Sequence, residues 1–184
     1  MTIKIVFLCT ANRCRSPLAA AMFERTAAVR GATVRTLSAG LLRSGDPMPP
    51  DGIRVANEYG LDLRSHRSTQ LTAGLIDDAD LILGMGREHA REAVATVPGR
   101  WPRTFTFLQF ARWLETAEPP RRATLGNWLD AVAADRPRSL LIGSDPVDDI
   151  ADPIGRPRAF WRDTAALLQT LTEDMVGCLS PILR

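Results

Sequence analysis

Residues 3–20 read "IKIVFLCTANRCRSPLAA". The opening "IKIVFL" (3–8) is an almost unbroken apolar, β-branched run, the pattern of a strand buried on both faces of a parallel sheet. From Pro17 the chain turns alanine-rich, and Ser16–Pro17 supplies an N-cap followed by proline at the first helical position. Gly31 provides the stop, so the spacing predicts a helix over 17–30. Between strand and helix lies a short polar loop with Cys9 at one end and Arg15 at the other. A loop of this kind binds anions, because its amide groups turn inward and the helix start adds partial positive charge.

Outward from that unit the alternation continues. "ATVRTLSAG" (32–40) reads as a second strand and is followed by a helix over 50–59, opened by Pro50 and closed by Gly60. "DLILGM" (80–85) is a third buried strand, with a helix over 88–96 behind it, and "RTFTFL" (103–108) is a fourth. From Pro157 onward Trp161, Ala165, Leu168, Met175 and Leu179 recur at helical spacing, predicting a long closing helix with Cys178 in its core face. The expected fold is α/β: a single three-layer domain over 1–184, with a central parallel four-stranded sheet flanked by helices and an N-terminal phosphate-binding loop after the first strand. Residues 110–148 break the alternation. With Trp113, Trp128 and the "EPPRR" break at 118–122 they read as a helical insertion lying on the surface.

Composition excludes several classes. Of 184 residues, 45% are hydrophobic and 24% charged, ordinary for a soluble globular chain. The net charge of 23 − 21 = +2 is too small to imply nucleic acid or an anionic membrane as partner. The arginine bias, with Lys4 the only lysine, carries no functional weight. Three cysteines argue against a disulfide framework and for a reducing, cytoplasmic setting. The N-terminal run has no cleavage-site pattern, and no apolar run approaches a membrane span. His66 and His89 lie far apart and no Cys-x-x-Cys occurs, so no metal or other cofactor is expected.

The loop residues carry chemistry. Arg15 can give two parallel hydrogen bonds to two phosphate oxygens, which lysine cannot. Cys9 stands at the mouth of the cradle, where amides, helix start and Arg15 supply positive potential for a thiolate. The Ser16 hydroxyl can hydrogen-bond the sulfur. A bare C-x5-R is a weak signal, but C-x5-R-S directly after a buried strand and directly before a helix is specific.

"CTANRCRSP" (9–17) resembles the signature of the low-molecular-weight protein tyrosine phosphatase family. "SAG" (38–40), "GLDLRSHRSTQLT" (60–72) and "DIADPIG" (149–155) follow in that family's order. The resemblance implies a phosphatase that acts on phosphotyrosine in proteins without a metal, through a phosphocysteine formed on Cys9. Thr10, Ala11, Asn12, Arg13, Cys14, Arg15 and Ser16 would form the phosphate cradle, and Asn12, Ser16 and His66 would hold its shape. The leaving oxygen needs a proton. Of the two Asp-Pro pairs, Asp145–Pro146 and Asp152–Pro153, the resemblance selects Asp152 as general acid. Cys14 would either pair with Cys9 under oxidation or serve as a small apolar filler.

The implied partner is a phosphorylated protein, met by a monomer or weak homodimer. Ile154 and Gly155 stand where phosphotyrosine enzymes of the family often carry aromatic residues, and Arg13 replaces a small or branched one. A ring would then need a wall from Met48, Trp113 or Trp128. The alternatives are a protein-arginine phosphatase, an arsenate reductase, against which the cysteine-free "LILGMGREHAREA" (81–93) speaks, and a catalytically inactive phosphate-binding module.

Overall fold

In the computed structural model, residues 2–117, 123–133, 136–137, 139 and 146–183 are described. The chain builds β1 (Ile3–Cys9), α1 (Arg15–Val29), β2 (Val34–Gly40), α2 (Pro50–Glu58), α3 (Ala73–Asp77), β3 (Leu81–Gly84) and α4 (Arg87–Thr96). β4 (Thr104–Thr106), α5 (Phe107–Leu114), α6 (Leu125–Val132) and α7 (Arg158–Leu183) follow. All four strands are parallel, in the order β2-β1-β3-β4. Every expected strand is present. The fourth is cut to three residues, because the Thr106 side chain accepts from the Gln109 amide and caps a helix that starts at Phe107.

The apolar run of β1 divides by parity, as successive side chains point to opposite faces of a sheet. Ile5 and Phe7 join Leu81, Leu83 and Phe105 against α1 and α7, while Val6 and Leu8 join Ile82, Ile76 and Ala93 under α3 and α4. The result is helix–sheet–helix layering. Phe7 packs between Phe23 at 5.8 Å and Phe107 at 5.5 Å, tying the central strand to α1 and to the start of α5. α7 buries Trp161, Ala165, Leu168, Met175 and Leu179, as its spacing predicts.

Three expectations are corrected. Cys178 is exposed: it falls on the flank between Met175 and Leu179 rather than on the stripe they define. Ser16 is not the cap of α1; Cys14 holds that position, and Ser16 is the second residue of the helix, with its hydroxyl turned toward Cys9. The described part of 110–148 is not confined to the surface, since one face of its helices is buried while the other is exposed. Phe110, Leu114, Leu125, Trp128 and Leu129 are buried in the main core, and Trp113 stacks on Phe105 at 5.5 Å and meets Trp128 at 5.1 Å. The short edge strand β4 leaves an apolar flank, and these helices cover it. The "EPPRR" break and Asp145 lie outside the described residues. Among the described residues, no helix is long and apolar enough to cross a membrane.

A parallel sheet ends all its strands on one edge, and ligands of such sheets gather beyond it. Cys9 is level with Gly40 in β2, and Leu8 with Gly84 in β3. The loops that leave these strands therefore converge. Gly40 lets them approach closely: a Cβ there would stand 2.7 Å from the Asn12 amide nitrogen.

Candidate active site

Six residues after the end of β1 the chain has turned into α1, and Asn12 makes that tight return possible. It is the only described non-glycine residue with positive φ, at 51°, a region that asparagine tolerates better than most residues. All its polar groups are used. Its carbonyl accepts from His66 Nε2 at 2.7 Å, its Oδ1 accepts from the Thr69 amide at 2.7 Å, and its Nδ2 donates to Ser16 Oγ at 2.9 Å. His66 thus sits behind the loop as the motif implies, and Thr69 joins it there.

Two donors reach the sulfur of Cys9. The Asn12 amide lies 3.2 Å from Sγ, and the Ser16 hydroxyl donates at 3.0 Å. The chain Asn12 Nδ2–Ser16 Oγ–Cys9 Sγ orients the hydroxyl, since its acceptor side is taken by Asn12 and its one proton goes to sulfur. Cys9 itself is buried at the floor of the cradle.

Arg15 is buried at the cradle's edge, with its fork held at each end. Nη1 donates to the Ile150 carbonyl at 2.9 Å, and Nη2 donates to Thr10 Oγ1 at 3.2 Å and to Asp152 Oδ2 at 2.5 Å. Its Nε is buried with no hydrogen-bond partner among the described residues. A buried donor left unpaired costs about 1–3 kcal/mol, so this edge of the guanidinium is suited to an incoming anion.

Asp152 is brought to the loop by the segment that follows Pro146–Asp148. The Ile150 amide donates to the Met85 carbonyl at 2.7 Å, and Asp149 Oδ1 accepts from the Arg87 amide at 2.8 Å, pinning that segment to the end of β3 and the start of α4. Asp152 Oδ1 then accepts from the Cys14 thiol at 3.2 Å and from the Ile154 amide at 3.0 Å. Burial pushes the Cys14 thiol well above the usual thiol range, and negative charge on Cys9 and Asp152 adds to the shift. Cys14 is therefore a protonated donor to Asp152.

Arg13 turns away from the cradle and donates through Nε to the Pro47 carbonyl at 2.9 Å, bracing the 44–48 segment. Trp113 and Trp128 pack with Phe105 and Phe110 in the core and give no wall at the loop. Met48 is buried as well. Apolar surface beside the loop comes instead from Leu42, whose amide bonds the Thr10 carbonyl, and from Ile154, both exposed.

One residue of this neighbourhood carries no local sequence signal. His89, in the first turn of α4, is buried, and its Nε2 lies 3.1 Å from Thr10 Oγ1 across 79 positions of sequence. Burial, and then the nearby Arg15 charge, lower its pKa to about 4, with Glu88 and Asp149 opposing. The unfolded chain takes up this proton near 6.5, well before the folded chain does. The contribution of neutral His89 to stability is thus complete above pH 6.5 and is lost as pH falls toward 4. Thermal midpoints should decline between pH 6.5 and 5, above the range where Asp51, Glu58 and Asp62 exchange protons on unfolding, and His89→Gln should flatten that decline.

Residues 4–119 match the family model for "Low molecular weight phosphotyrosine protein phosphatase". The chain is 34% identical over 129 residues to the probable low molecular weight protein-tyrosine-phosphatase EpsP of Ralstonia solanacearum, covering 70% of this chain and 86% of that protein. It is 31% identical over 176 residues to the protein-arginine-phosphatase of Geobacillus stearothermophilus, covering 95% of both. The low molecular weight protein tyrosine phosphatase of T. tengcongensis superposes with a TM-score of 0.72 at 26% identity, over 96% of this chain and 99% of that one. A cysteine-to-arginine loop at the end of the first parallel strand, a matching family model and full-length relatives all point one way: the chain belongs to the low molecular weight phosphotyrosine protein phosphatase family.

Proposed function

We propose that this protein hydrolyses phosphotyrosine in proteins through a phosphocysteine on Cys9, without a metal ion. The observation that carries the reading is the convergence of three groups around one cradle. Cys9 Sγ receives two donors from the floor, Arg15 offers a buried, unpaired Nε at the edge, and Asp152 lies within bonding distance of that same guanidinium.

A bound phosphoryl group competes with Asp152 for Arg15. Its oxygens take Nε and Nη2 as a two-pronged fork, together with the amides of residues 10–16, and Asp152 is released beside the leaving oxygen. In the first step the Cys9 thiolate attacks phosphorus in line and the bond from phosphorus to the leaving oxygen breaks. Asp152, which takes up a proton from water once phosphate has displaced it from Arg15, gives that proton to the leaving oxygen. In the second, Asp152 takes a proton from water, the water oxygen bonds phosphorus, and the P–S bond breaks to return the thiolate. Ser16 eases that departure by donating to sulfur. Arg15 and the loop amides stabilise the equatorial oxygens in both steps.

Leu42 and Ile154 give an aryl ring apolar surface next to the cradle. A phosphoarginine substrate is the second reading, favoured by the end-to-end similarity to the Geobacillus enzyme. The test is turnover of an aryl phosphate with chelator present, followed by phosphotyrosine, phosphoarginine and phosphoserine peptides of one sequence. The phosphotyrosine peptide is expected to give the highest kcat/KM. A higher value for phosphoarginine would replace the substrate and keep the chemistry, whereas no turnover of any of them would overturn the phosphatase reading.

A further inference from the structure

We propose that His89 is a positioning residue for the phosphate clamp, acting on Arg15 through the hydroxyl of Thr10. The inference rests on the reading of Arg15 as the group that holds the phosphoryl oxygens.

Three groups surround Thr10 Oγ1: His89 Nε2 at 3.1 Å, Arg15 Nη2 at 3.2 Å and Glu88 Oε1 at 3.3 Å. A hydroxyl has one proton and two lone pairs, an ionised carboxylate only accepts, and a guanidinium only donates. One assignment satisfies every contact of the hydroxyl, with His89 Nδ1 left without a hydrogen-bond partner among the described residues. Thr10 gives its proton to Glu88, accepts from Arg15, and accepts from a His89 that carries its proton on Nε2. The same Nε2 lies 3.2 Å from Glu88 Oε1, which suits a donor nitrogen and not an acceptor. His89 is 1% exposed and cannot swing away, so it sets the direction in which the Thr10 lone pairs point.

The arrangement matters most with ligand bound. In the free protein Arg15 Nη2 has two acceptors, Thr10 and Asp152. Once phosphate displaces Asp152, Thr10 and the Ile150 carbonyl are the protein groups left to keep the fork in its plane. Without His89 the Thr10 hydroxyl is guided on that side by the exposed Glu88 carboxylate alone, and the clamp loses part of its preset orientation. The cost then falls on anion affinity rather than on stability alone.

The experiment is calorimetric titration of inorganic phosphate into wild type, His89→Leu, His89→Gln, Thr10→Val and the His89→Leu/Thr10→Val pair. Each of His89→Leu and Thr10→Val should weaken phosphate binding by about tenfold, the scale of one hydrogen bond to a charged group. The pair should lose no more than either alone, because both break one relay. Glutamine can place an N–H near the lost Nε2, so His89→Gln should stay within about threefold of wild type. Losses that multiply in the pair, or unchanged affinity with a lowered thermal midpoint in His89→Leu, would overturn the relay and leave His89 a packing residue. If His89→Leu does not fold, Thr10→Val and His89→Gln decide: unchanged affinity in the first, or a full loss in the second, overturns it. Wild type that binds phosphate but turns over no phosphoester would defeat the enzymatic reading and leave this comparison intact. Wild type that does not bind phosphate would remove the clamp itself.

Discussion

Cys9→Ser is expected to reduce aryl phosphate turnover by about 10⁴-fold or more, on the scale seen when a catalytic nucleophile is removed. Serine keeps the size and the hydrogen bonds from Asn12 and Ser16, so the cradle should still form. What it lacks is a sulfur able to attack and then leave. Arg15 is untouched, and inorganic phosphate should bind within a few-fold of wild type. The pair of measurements separates chemistry from binding: a variant that loses both has lost the loop's shape, and the nucleophile assignment would stand unproven by it. A variant that keeps substantial multiple turnover would overturn the assignment. Cys14→Ser provides the contrast, since Cys14 faces Asp152 and its thiol is held protonated.

Asp152→Asn is expected to lower kcat by about 10²–10⁴-fold, the range that a positioned general acid supplies. The loss should grow with the basicity of the leaving group, being smallest for a nitrophenolate and largest for a tyrosine phenolate. Affinity should move the other way. In the free protein the carboxylate occupies Arg15 Nη2 at 2.5 Å, and phosphate must displace it. Asparagine competes poorly for a guanidinium because it lacks the charge, so inorganic phosphate should bind more tightly to the variant. A uniform loss across leaving groups would show that Asp152 does not deliver the proton. Weaker phosphate binding would show that the carboxylate supports the clamp instead of competing for it.

The residues that the chain itself marks are those whose partners are close in sequence. Cys9, Asn12, Arg15 and Ser16 span the short return from the end of β1 to the start of α1, and Cys9, Asn12 and Ser16 bond one another there. Asp152 is marked by its Asp-Pro pair, but only the family order distinguishes it from Asp145. Misreadings arise where periodicity is blind to neighbours. Cys178 sits one position off a buried stripe, which helical spacing alone does not separate from the stripe. Trp113 and Trp128 look like surface aromatics until the edge of β4 is seen to need cover.

By itself the sequence determined the parallel α/β architecture, through buried runs alternating with capped helices, and it determined the chemistry of the loop, through residue types at fixed short spacing. The tertiary structure decided what surrounds that loop, where the family resemblance alone singles out His66 and Asp152. His66 and Thr69 behind Asn12, Ile150 and Asp152 on Arg15, and His89 against Thr10 come from 54 to 137 positions away. Parallel strands end on one edge and bring their loops together there. Which side chains then meet depends on register and packing across the whole sheet, and no local pattern in the chain encodes that.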